Sequence, residues 1–110
     1  MAKHRYIVVA HAYDKRGRLI SCATNNYTKT HPTQARLAHK VGHPERQFLH
    51  AEILAGIRAK GKPIHTLKVW RYGADGQLLC AKPCPICQEA IRELQITEVW
   101  YSDHNTMVKL

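Results

Sequence analysis

Residues 5–103 switch repeatedly between a two-residue and a 3.6-residue apolar period, and the order of those switches constrains the fold more than any other feature. "RYIVVAHAY" (5–13) is β-branched and aromatic, "DKRG" breaks it, and "RLISCAT" resumes, which predicts a hairpin turning at Gly17. "NNYTKTHP" (25–32) is a polar loop, and "PTQARLAHKVG" predicts a short helix from Pro32 to Gly42. A second helix is expected from about Glu45 to Lys60, with Phe48, Ala51, Leu54 and Ala55 on one face and Gly61 and Pro63 as the stop. "HTLKVWRYG" alternates as a strand, "ADGQ" is a turn, "PICQEAIRELQ" is a third helix with Pro85 in its first turn, and "ITEVWYS" is a last strand. With the short 32–42 helix set aside, strand–strand–helix–strand–helix–strand predicts an α/β fold with helices packed on a mixed sheet.

The chain has 110 residues, 45% of them hydrophobic, which suits one domain, 1–110, with one modest core. No apolar run approaches the roughly 20 residues of a membrane helix, and Ile7–Ala10 is too short for the apolar region of a signal peptide. A cytoplasmic protein is therefore expected. Thiols stay reduced there, so four cysteines point to metal binding or catalysis before disulfides.

The formal charge of +9 attracts polyanions or phosphorylated small molecules. The cations are spread from Lys29 to Arg46 and from Arg58 to Arg71 rather than gathered in one arm. Lys29, His31 and Arg36, near the 25–32 loop, are candidates to hold a phosphate.

"PCPIC" places Cys84 and Cys87 three residues apart at the start of a helix, where the partial positive charge of the terminus favours thiolate. Two sulfurs are only half of a zinc site. His50 is the candidate third ligand, because "HAEILAG" opens a helix with Glu52 two residues on. Within a helix, positions two apart point about 200° from each other. His50 and Glu52 can therefore serve one site only beyond the helix N-terminus, which is also where the two cysteines sit on their own helix. Three protein ligands with a fourth position left for water is the pattern of catalytic zinc.

His50-Ala51-Glu52 followed by Pro83-Cys84-Pro85-Ile86-Cys87 resembles the H-x-E and P-C-x-x-C signature of the cytidine and deoxycytidylate deaminase superfamily. The resemblance implies a minimal cytidine deaminase-like three-layer sandwich that binds Zn2+ through His50, Cys84 and Cys87. It implies Glu52 as proton shuttle, held off the metal. Asn25, Asn26, His31, Ala51, Tyr101 and Asp103 are the positions it offers for substrate binding, with Tyr101 as a surface for the base. Trp70 and Trp100 are read as core residues, as are Cys22 and Cys80. The implied activity is hydrolytic deamination of a cytosine nucleoside or nucleotide, and small relatives often complete their sites as homo-oligomers. Two other readings remain: the same chemistry on single-stranded DNA or RNA, and a non-catalytic module whose zinc is closed by Cys80 as Cys3His. The chain departs from the family in lacking a helix before the first strand. It also has a longer segment between the third strand and the cysteines, and little chain after "YSDHN", where a fifth strand or final helix is expected to be reduced or missing.

Overall fold

The computed structural model describes residues 6–46 and 48–110, so Arg5 and Gln47 lie outside the described residues. The elements in chain order are β1 (Ile7–Tyr13), β2 (Leu19–Thr24), α1 (Pro32–Lys40), α2 (Ala51–Arg58), β3 (Thr66–Tyr72), β4 (Leu78–Leu79), α3 (Pro85–Glu93), β5 (Glu98–Asp103) and β6 (Thr106–Lys109). The sheet runs β2-β1-β3-β5-β6, with β4 on the end of β3. It is mixed: β3 and β5 are parallel and joined through α3, and every other pair is antiparallel. The fold is thus an α/β sandwich, as expected.

Local chemistry accounts for the hairpin. Asp14 Oδ1 accepts from the backbone N–H groups of Arg16 and Arg18, each at 2.9 Å. Gly17 turns the chain at φ 81°, a left-handed conformation that favours glycine.

One face of the sheet carries Ala10, Ala12, Ala23, Leu67, Val69 and Val99, all buried with Ala51 and Ala55 of α2 and with Ala59 just past its end. Alanine against alanine lets α2 lie close to β1 and β2, and Ser21 Oγ donates to the Ala55 carbonyl at 2.7 Å across that contact. A second buried cluster joins Leu37 and Ala38 of α1 to Ile53 of α2 and to Ile86, Cys87 and Ala90 of α3. Counted outward, the layers are the sheet, then α2 and α3, then α1.

Three expectations change. The second helix starts at Ala51, not near Glu45. The residues before it are drawn into other bonds: Phe48 bridges Thr30, the Leu49 N–H donates to the Lys29 carbonyl (3.0 Å), and the Asn26 N–H donates to the Leu49 carbonyl (2.9 Å). The strand after "YSDHN" is present, since β6 pairs antiparallel with β5 from Thr106 to Lys109. Trp70 and Trp100 are half-buried and sit at alternate positions from Val69 and Val99, hence on the face away from the helices.

Candidate metal centre

α2 and α3 pack side by side through Ile53, Ile86 and Ala90, which sets their N-termini next to each other. His50 is the N-cap of α2, with extended backbone at φ −80° and ψ 149°. Because it stands outside the helical turn, its ring projects past the helix end. The 200° divergence expected of two helical positions therefore does not separate it from Glu52. Cys84 is the N-cap of α3, Pro85 opens the helix, and Cys87 lies in its first turn. His50 Nδ1 is 3.2 Å from Cys87 Sγ and 3.5 Å from Cys84 Sγ. The three ligand atoms all lie within 4.8 Å of one another.

Gln34 on α1 was not visible as a site residue in the sequence. It is fully buried; its Nε2 donates to the Arg46 carbonyl (3.0 Å) and its Oε1 accepts the His50 N–H (3.2 Å). One carboxamide thus fixes both ends of the segment that delivers His50.

The donor atoms suit zinc. A tetrahedral ion with Zn–S near 2.3 Å and Zn–N near 2.0 Å separates nitrogen from sulfur by about 3.5 Å. Two thiolates and an imidazole form a set that zinc accepts readily.

The electrostatics also fit a cation. Hydrogen bonding from Cys87, then from His50, pulls the Cys84 thiol from 9.0 down to about 4, against the opposing effect of burial. Cys87, as the donor to Cys84 and itself buried, is held well above 9.0. Burial pulls His50 down, but its hydrogen bond to Cys84 and the negative charges of Cys84 and Glu52 outweigh that, and its pKa rises above 6.5. Burial pushes Glu52 above 4.5, opposed by its own backbone amide and by His50. A divalent cation held by these three donor atoms would favour the deprotonated thiols and the neutral ring.

The cluster opens on a cavity of about 450 Å³ whose lining includes His50, Cys84 and Glu52. Glu52 is 8% exposed and lies outside the three-atom group. Asn25, Asn26 and Ala51 line the same cavity. Asn25 Oδ1 accepts the Val8 N–H (3.0 Å), and Asn26 Oδ1 accepts the N–H groups of Thr28 and Lys29 (both 2.8 Å), so both carboxamide oxygens shape the loop.

His31, Tyr101 and Asp103 are not in the lining. His31 caps α1, its Nδ1 accepting the Thr33 N–H at 3.1 Å. Tyr101 packs on the sheet core, and Asp103 sits at the end of β5, 3.8 Å from His104 Nε2. Among the described residues, the aromatic side chains at the cavity are instead Tyr6, Tyr27 and Phe48, and its cations are Arg46, Arg71 and Lys82. The sequence offered no route to these, because they come from five separate segments. Arg36, expected near a phosphate, is committed to Glu93 at 2.8 and 3.1 Å.

Two cysteines differ from expectation. Cys22 is exposed, since it lies on the outward face of edge strand β2. Cys80 is half-buried just past β4 and lines the cavity rather than the core; among the described residues it is not part of the ligand group.

Fold and site together define a class: an α/β sandwich in which two helix N-termini bring a His–Cys–Cys group close enough to hold one metal ion. Comparison with protein-family models, curated proteins and solved structures finds no match to this chain.

Proposed function

We propose that the chain is a zinc-dependent hydrolytic deaminase of a cytosine nucleoside or nucleotide, with His50, Cys84 and Cys87 as the zinc ligands. The observation that carries this reading is Glu52: a buried carboxyl group beside the ligand group, outside it, and facing the same cavity. When bound, zinc would supply an activated water by lowering its pKa to about 7. Burial raises the proton affinity of Glu52, so its carboxylate can accept a proton from the attacking water. It can deliver that proton to the ring nitrogen and then carry the second proton of the same water, from the hydroxyl added to the ring carbon, to the amine, which leaves as ammonia. The cavity of about 450 Å³ falls in the size range of small-molecule sites, and Arg46, Arg71 and Lys82 in its lining favour a phosphorylated substrate.

The test is ammonia release from cytidine, deoxycytidine, CMP, dCMP, adenosine and a single-stranded oligonucleotide. Release from a cytosine nucleoside or nucleotide is expected. Glu52→Ala should abolish turnover and keep zinc, while Cys80→Ser should keep both. Turnover by the Glu52→Ala variant would remove the proton-shuttle role. Loss of zinc from the Cys80→Ser variant would favour the closed structural site.

A further inference from the structure

The sheet face away from the helices carries an ordered set of rings and cations that the metal centre does not use. The strand registers place Cys22, His11, Lys68, Trp100 and Lys109 opposite one another in a single row crossing β2, β1, β3, β5 and β6. Four steps between strands make that row about 19 Å long. Ring and ammonium alternate along it, in the order His11, Lys68, Trp100, Lys109. Neighbouring rows on the same face add Trp70, opposite Val9, and Tyr13, opposite Thr66. The His11 and Trp70 rings meet edge to face with centroids 5.0 Å apart, and Lys68 Nζ stands 5.2 Å from the centre of the Tyr13 ring. The one carboxylate in these rows, Glu98, accepts the Trp100 Nε1–H at 3.3 Å and lies 3.9 Å from Lys109 Nζ. Among the described residues, the buried helix contacts all fall on the opposite face, with Ala10, Ala12, Leu67 and Val69.

We propose that this face is a stacking platform for single-stranded nucleic acid, separate from the metal cavity. Flat rings on an open sheet can stack unpaired bases whatever their sequence, and the interleaved lysines can take the intervening phosphates. Charge selects this occupant over a second copy of the chain. Each copy carries +9, and sheet-to-sheet packing of two copies would press Lys68 and Lys109 toward like charges, whereas a polyanion neutralises them. Cys22 and Thr24 at the β2 edge are exposed, so the platform is open along that side.

The experiment uses the chain's own fluorescence, because its two tryptophans, Trp70 and Trp100, both lie on this face and neither lines the cavity. The full chain is titrated with 12-nucleotide single-stranded DNA and RNA, following tryptophan emission and the anisotropy of a labelled strand. Quenching together with binding is expected. Trp100→Ala should weaken binding about tenfold. The Lys68→Glu/Lys109→Glu variant carries the test if the tryptophan variant folds poorly, and should flatten the salt dependence by about 1.4 logarithmic units per decade of salt. The RNA and DNA arms separate the two sources of the ligand. Absence of binding overturns the proposal, as does binding without quenching that the lysine variant leaves unchanged. Self-association that buries the tryptophans and is unaffected by oligonucleotide assigns the face to a second copy and overturns it too. None of these three results bears on ammonia release, which is read at the other site.

Discussion

Gln34 shows how much of the candidate metal centre rests on a residue outside the ligand group. Its carboxamide is fully buried and satisfied at both ends, by the Arg46 carbonyl and the His50 N–H. Leucine at this position keeps most of the volume but leaves that carbonyl and that N–H without their partner. Gln34→Leu should therefore weaken zinc affinity about 10–100-fold, the usual cost of losing an outer partner of a ligand. Competition with a zinc indicator measures this, and unchanged affinity would mean that His50 is positioned by its cap alone. The candidate ligands themselves were legible because His50, Cys84 and Cys87 are residue types that bind metal ions, set at two helix starts. Gln34 was not, since no spacing rule links a glutamine on one helix to a backbone N–H 16 residues later.

At the scale of elements, α1 is tied to α3 by surface charge. Arg36 and then Lys40 hold Glu93 at a pKa of about 2, against an ordinary 4.5. Arg92 and then Lys40 do the same for Glu89, also to about 2. A carboxylate whose folded-state pKa is depressed contributes stability above its unfolded value and loses that contribution as pH falls through the folded one. The contribution is thus complete above about pH 4.5 and disappears toward pH 2. Acid titration followed by circular dichroism should show Glu93→Gln with a shallower loss in this window, and added salt should narrow the difference because these groups face solvent. On the other side of the helical layer, the contact of α2 with the sheet is alanine against alanine, with no room for a larger group. Ala55→Leu should cost about 1–3 kcal/mol by overpacking, read from urea unfolding. Periodicity found α2 but started it six residues early. Phe48 continues the apolar pattern while its backbone is taken by Thr30, a pairing that periodicity cannot register.

For the molecule as a whole, the candidate centre links α2 to α3, so a metal ion held there would couple its binding to folding. Chelation should lower Tm, and readdition of zinc should restore it. Free zinc at one hundred times Kd contributes about 2.7 kcal/mol, which calorimetry can read directly. A Tm indifferent to chelator would disconnect the cluster from metal binding.

The sequence alone determined the α/β class, the hairpin, the three helices and the candidate ligands. Each of those is written in local periodicity, in turn residues or in the spacing of chemically distinctive side chains. Tertiary structure alone decided that His50 caps its helix, that Cys80 stays out of the ligand group, that Tyr6, Tyr27 and Phe48 stand at the cavity, and that both tryptophans face away from the helices. These outcomes depend on which strand neighbours which and on which helix end meets which. Such pairings are selected by burial and hydrogen bonding summed over the whole chain, so no short stretch of it carries them.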